Sequence, residues 1–157
     1  YMKNKILLFI MMLTVSMSAF AKGKDDMPQY DIIGAGSGSS GTMLVKVYIY
    51  EKKATDQQFK VAAIHGVVFR GYQGNSSGTR QPAMTNTKSE KDYAEFCKEF
   101  FSTEGDCQNY ATIIPGTYDR IKTPKGYKVG AMLQIDKVSL RKTLQEVGLV
   151  RSLSSGF

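Results

Sequence analysis

The stretch from Thr55 to Gly71, TDQQFKVAAIHGVVFRG, decides the fold expected for this chain. Its apolar residues cover most of a helix circumference, which is typical of a helix inside a core rather than on a surface. Thr55 and Gln58 have the spacing of a capping box, in which each side chain satisfies a backbone amide of the first turn. Small residues such as Gly66 would let a sheet approach closely. The stretch therefore predicts a buried helix that packs on a sheet.

Alternating apolar and polar residues predict the strands of that sheet. The alternation runs from Met43 to Tyr50 and again from Tyr127 to Asp136, as in strands with one buried face. Tyr110 to Ile114 and Thr117 to Lys122 are read as further extended chain. These segments predict a mostly antiparallel sheet of four to five strands, since each can pair with its neighbour along the chain.

Two more helices are predicted C-terminal to the first. One runs from Thr87 to about Ser102, and its apolar face consists of Tyr93, Phe96, Cys97, Phe100 and Phe101. The other is capped by Asp136 and ends at Gly148, and its inner face consists of Leu140, Leu144 and Val147. The expected fold is α+β: a single two-layer domain over residues 30–150, with about three helices on one face of the sheet.

The N-terminal residues have the three parts of a secretory signal peptide. Lys3 and Lys5 precede an apolar run, and Ala19-Phe20-Ala21 has the small-x-small pattern of a cleavage site. The run is short for a membrane span of about 20 residues, although retention as an anchor is the alternative. We expect a signal peptide at 2–21 with cleavage after Ala21, a flexible leader at 22–29, a tail at 151–157 and a periplasmic or secreted protein that does not span the membrane.

Length and charge limit the expected partners. The chain has 157 residues and a net charge of +7. Cleavage would remove 21 of them, including two lysines, and leave 136 residues with 19 basic and 14 acidic side chains, or about +5. This charge favours an anionic partner, although scattered basic residues also suit an ordinary solvated surface. Nucleic acid is not the expected partner of an exported chain.

The glycine-rich segment from Gly36 to Gly41 matches the dinucleotide-binding pattern in form only. That motif needs its last glycine to open a helix whose N-terminus holds the pyrophosphate. The residues that follow, TMLVKVYIYE, have the pattern of a strand. We therefore expect a turn between two strands, with no nucleotide and no cofactor.

Residues 71–86, GYQGNSSGTRQPAMTN, predict a long exposed loop. A loop of this length in a small domain is usually functional or mobile. Arg70, Tyr72 and Arg80 would place two guanidinium groups and a phenol around it, and these three residues are our partner-binding hypothesis. The alternative is a disordered excursion without a role.

The two cysteines and the single histidine admit two interpretations. An even cysteine count in an exported chain favours a disulfide between Cys97 and Cys107. Alternatively, Cys97 and His65 could form the catalytic pair of a small thiol-dependent or hydrolytic enzyme. Apolar neighbours favour structural roles for both residues, so no catalytic residue is assigned. One histidine and two cysteines do not complete a tetrahedral metal site.

Three segments carry a resemblance to known proteins: VKVYIYEKK at 45–53, AAIHGVVFRGY at 62–72 and YKVGAMLQIDKVSLRKTLQEVGL at 127–149. They resemble uncharacterised secreted proteins of Bacteroidetes-type bacteria and, more distantly, envelope domains of the TolB N-terminal and penicillin-binding-protein-activator kind. The resemblance implies an accessory or assembly role in the cell envelope and carries over no functional residue. The expected function is non-catalytic binding of an unknown envelope protein or anionic envelope component.

Overall fold

The computed structural model describes residues 27–74, 80–85 and 90–151. Within these ranges the chain forms an α+β domain with a mostly antiparallel sheet, which confirms the predicted fold class. The predicted signal peptide, most of the predicted leader, the predicted helix start at Thr87 and residues 152–157 lie outside them.

Six strands and three α-helices make up the described domain. The strands are β1 (Tyr30–Ser37), β2 (Thr42–Ile49), β3 (Gln73–Gly74), β4 (Ala111–Ile113), β5 (Asp119–Thr123) and β6 (Gly126–Asp136), and the helices are α1 (Asp56–His65), α2 (Ala94–Phe100) and α3 (Lys137–Val147). Gly66–Arg70 forms a π-helical turn, and Glu90–Tyr93 and Asp106–Tyr110 form 3-10 turns.

The strands follow the order β3-β1-β2-β6-β4, and β5 also pairs with β6. Only the short pair of β1 with β3 is parallel. β4 pairs with the C-terminal part of β6, and β5 with its N-terminal part. The sheet has more strands than predicted because β3 is too short to show an alternation in the sequence.

The glycine-rich segment is the turn between β1 and β2, as predicted. The Thr42 amide donates to the Ser39 carbonyl at 2.9 Å, and β2 begins at that residue without an intervening helix. The segment therefore leads into an antiparallel strand and not into the helix that the dinucleotide-binding motif requires.

Strands β2 and β6 bury alternate side chains, as their sequence pattern predicted. The buried set comprises Met43, Val45, Val47, Ile49, Val129, Ala131, Leu133 and Ile135, and it belongs to one core cluster with Leu140 and Leu144 of α3. The prediction for Val147 was wrong, because this side chain is exposed. The chain reverses at Gly148 in the left-handed conformation, so Leu149 and Val150 are buried instead.

Helix α1 begins and packs as its sequence predicted. Thr55 and Gln58 form the complete capping box, with Thr55 Oγ1 accepting from the Gln58 amide at 3.2 Å. The helix ends against β1 at Gly66, where an added Cβ would lie 3.1 Å from Ile32 and 3.2 Å from the Tyr30 ring. Real Cβ atoms rarely approach that closely, so glycine sets the distance between helix and strand.

The π-helical turn opens the backbone beyond α1. The Gly71 amide donates to the Gly66 carbonyl at 2.8 Å, five residues back. The carbonyls of Val67 and Val68 instead accept from the amides of Met84 and Thr85 at 3.3 and 3.1 Å. Carbonyls at a helix end need partners from elsewhere, and here the returning loop supplies them.

We predict that Gly66→Leu destabilises the protein by about 1–3 kcal/mol in chemical denaturation, because the larger side chain overpacks against Ile32 and Tyr30. Gln57→Leu is the matched control, since Gln57 lies on the exposed face of the same helix and such changes stay within about 0.5 kcal/mol. Equal unfolding free energies for both variants would contradict the close packing at Gly66.

Candidate functional site

A cleft of about 340 Å³ lies beside the π-helical turn, between the start of β1 and the two loop segments at 71–73 and 80–82. Its lining includes Arg70, Tyr72 and Arg80, the three residues of the partner-binding hypothesis. Ligand pockets commonly have volumes of about 300–1,000 Å³, so the cleft is large enough for a small molecule or a side chain. The structure thus places these three residues around one cavity, although Tyr72 differs from expectation.

Arg70 is held in place by Tyr30. Its guanidinium carbon lies 4.2 Å from the centroid of the Tyr30 ring, and Nη1 donates to the Tyr30 carbonyl at 3.3 Å. A cation over an aromatic face is attracted by the electron-rich ring. Burial raises the pKa of Tyr30 to about 12, so its phenol is neutral at physiological pH. The stack and the hydrogen bond therefore fix the guanidinium at the cleft wall.

Arg80 lies at the described end of the loop, next to Gln81, which is anchored to the rest of the domain. Tyr72 and Gln81 exchange two backbone hydrogen bonds at 2.8 and 2.9 Å. Gly71, with a φ of 67°, allows this crossing, because an added Cβ would lie 2.4 Å from the Gln81 carbonyl oxygen. Lys137 Nζ also donates to Gln81 Oε1 at 3.2 Å. The described ends of the loop are thus packed segments, and its central residues 75–79 lie outside the described ranges.

Tyr72 is not the exposed anchor that the sequence suggested. Its side chain is only 7% exposed, and its hydroxyl donates to Met43 Sδ at 3.4 Å. The ring turns inward because the backbone bridge to Gln81 places it on the core side of the loop. Tyr72 therefore forms a wall of the cleft, while the two arginines, both exposed, provide its polar surface.

His65 lies beneath the cleft in a hydrogen-bonded chain with Tyr30 and Glu90. The Tyr30 hydroxyl is 2.7 Å from His65 Nδ1, and Glu90 Oε2 is 3.2 Å from Nε2. A carboxylate only accepts, so Nε2 carries a proton and, in the neutral ring, Nδ1 accepts from the phenol. Burial lowers the pKa of His65, and the hydrogen bond that Nε2 donates to Glu90 opposes that effect. His65 therefore holds Tyr30, and through it Arg70, in position.

The predicted disulfide is absent from this structure. Cys97 and Cys107 are both free and buried, one on the inner face of α2 and the other in the 3-10 turn Asp106–Tyr110. Burial raises the pKa of Cys97 to about 11 and that of Cys107 to about 12. Each thiol packs as a small apolar group in the core, which free cysteine does readily.

The geometry gives no support to a Cys97–His65 catalytic pair. A nucleophilic cysteine needs a lowered pKa and a neighbouring base. The pKa of Cys97 is raised, and Tyr30 and Glu90 occupy both ring nitrogens of His65. Among the described residues, no group of three or more His, Cys, Asp or Glu side chains is arranged to hold a metal ion.

Residues 27–74, 80–85 and 90–151 contain no helix that is long and apolar enough to cross a membrane. Comparison with models of known protein families, with curated proteins and with solved structures finds no match.

Sequence reasoning missed the residues that support the site. Tyr30 and Glu90 are 35 and 25 residues from His65, and no local spacing connects them. Gln73 and Gln81 lie in the predicted loop, and the sequence suggested no role for either residue. Tertiary contacts bring this group together: β1 packs against the end of α1, Glu90 comes from the 3-10 turn Glu90–Tyr93, and Gln81 is held by its bridge to Tyr72.

We predict that neither thiol reacts appreciably with a thiolate-specific reagent at pH 8 in the folded protein, because both are buried and have raised pKa values. After unfolding without reductant, both should react, as counted by absorbance. Two reactive thiols in the folded protein would contradict the burial. No reactive thiol after unfolding would show that a disulfide forms after all.

Proposed function

We propose that this protein is a secreted, non-catalytic binding module of the cell envelope that docks an anionic partner at the cleft between Arg70 and Arg80. Arginine suits this role because its planar group offers several donors to an acidic surface. Tyr72 contributes a largely buried wall of the cleft.

One observation carries the proposal: two arginines line a single cleft, and among the described residues neither forms an ion pair with a carboxylate. Within the described ranges, the ion pairs join Lys46 to Asp119 and His65 to Glu90. Asp31 also lines the cleft, and its carboxylate accepts a hydrogen bond from the Tyr50 hydroxyl, so two guanidinium groups stand against one carboxylate in the lining. The cleft thus presents an excess of positive charge toward solvent, which favours association with an anionic surface.

The sequence supports the location. The segment at 2–21 has the charged, apolar and small-x-small parts of an export signal, with cleavage expected after Ala21. The resemblance to secreted and envelope-associated proteins agrees with an accessory role there. In that setting the partner is an envelope protein or an anionic envelope component.

We predict that the double change Arg70→Ala and Arg80→Ala lowers capture of partners from envelope extracts by at least about tenfold at low salt, a loss of about 1.4 kcal/mol. The two guanidinium groups supply the attraction, so added salt should weaken capture by the unchanged protein as well. Captured material is measured by quantitative mass spectrometry against the unchanged chain.

Arg120→Ala is the matched control. Arg120 also stacks on a tyrosine, with its guanidinium carbon 4.4 Å from the Tyr127 ring centroid, but it does not line the cleft. This variant should capture partners as well as the unchanged protein does. Equal capture by the double variant and the control at low salt would reject the cleft as the docking site.

A further inference from the structure

We infer that the cleft recognises an oxyanion group, a carboxylate or a phosphate, that is carried on a ligand with further hydrogen-bond acceptors. The inference rests on the proposed function in assuming that this cleft is the binding site. It goes further by naming the chemical group that the site would hold.

Arg70 is held in a fixed orientation at the cleft. The Tyr30 ring occupies the space on one side of the guanidinium at 4.2 Å, and Nη1 is engaged by the Tyr30 carbonyl. A guanidinium has five N–H donors, so several remain at its edge. An arginine held in this way can donate two parallel hydrogen bonds to a carboxylate or a phosphate without losing further side-chain freedom.

The lining of the cleft carries an excess of positive charge. Arg80 lines the same cavity as Arg70, and within the part of the chain that the structure describes it forms no ion pair or hydrogen bond. Asp31 lines the cavity as well and accepts from Tyr50, and Glu90 contacts His65, so two guanidinium groups stand against one carboxylate in the lining. Two like charges at one cavity repel each other, and a bound anion would relieve that repulsion.

Gln81 adds a side-chain amide to the residues that line the cleft. Lys137 Nζ can only donate, so the atom of Gln81 that it contacts at 3.2 Å must be the carbonyl oxygen. Among the described residues the side-chain amide N–H groups of Gln81 have no hydrogen-bond acceptor, and Gln81 is one of the residues that line the cleft. With the two arginines, they make the lining rich in donors, which suits an oxyanion and its neighbouring acceptor atoms.

The volume of the cleft limits the size of the ligand. At about 340 Å³ it has room for more than one small ion, and Ile32 and Pro82 add an apolar part to its lining. Ligand sites of this kind combine apolar contacts with a few placed polar groups. The ligand is therefore an oxyanion attached to an organic body rather than a free ion alone.

The test is a nuclear magnetic resonance titration of the ¹⁵N-labelled protein with inorganic phosphate and, separately, with acetate. Chloride holds the ionic strength constant. The Nε–Hε signals of Arg70 and Arg80, assigned with single Arg→Lys variants, should shift and saturate, whereas that of Arg120 should not. Arg80→Ala should weaken binding of the effective probe by about tenfold, as expected for one charge-assisted contact, and Arg120→Ala should leave it unchanged.

The two titrations separate the sources of the oxyanion. Saturation by phosphate alone assigns a phosphate group to the ligand, and saturation by acetate alone assigns a carboxylate. Equal shifts at Arg70, Arg80 and Arg120, or no saturable shift with either probe, would overturn the inference. Capture from envelope extracts could still depend on Arg70 and Arg80 in that case, so failure here is distinguishable from failure of the proposed function.

Discussion

The contact between the end of α1 and the start of β1 is the constraint on which the rest of this structure depends. Gly66 lies so close to Ile32 and Tyr30 that a single added carbon would meet both at 3.1–3.2 Å. This approach puts the His65 ring nitrogen within 2.7 Å of the Tyr30 hydroxyl. It also brings Arg70 over the face of the same tyrosine. One small residue therefore determines the position of the arginine that the cleft presents.

The π-helical turn links that contact to the cleft that we propose as the binding surface. Its wider winding leaves the Val67 and Val68 carbonyls to accept from Met84 and Thr85, so the returning loop is fastened to the helix end. Irregular turns of this kind occur frequently at functional sites. A site that is ordered before binding loses less conformational freedom when a ligand arrives, which favours affinity. The anchored stems thus make the cleft a more suitable recognition site than an unstructured loop would be.

Features decided by neighbouring residues were predictable from the sequence, and features decided by distant contacts were not. The capping box at Thr55, the alternation in β2 and β6 and the helix end at Gly148 are local patterns, and all three are confirmed. Arg70 and Arg80 were also proposed from loop composition and charge, and both line the cleft. The burial of Tyr72 was not, because it depends on a backbone bridge to Gln81 across the loop.

The expected disulfide shows the same limit. Cysteine count and spacing say nothing about side-chain direction, and the two thiols pack separately in the core. The π-helical turn and the two-residue strand β3 also lack a sequence periodicity of their own. They exist because the chain must satisfy its backbone groups after α1 ends against β1.

The most direct test is amide hydrogen exchange in the unchanged protein and in Gly66→Ala. The account predicts that the amides of Met84 and Thr85 are protected in the unchanged protein. In the variant they should exchange much faster, while the amides of β6 remain protected, because displacing the helix end releases the loop and leaves the central sheet intact. Unchanged protection of Met84 and Thr85 in the folded variant would contradict the claim that packing at Gly66 builds the cleft.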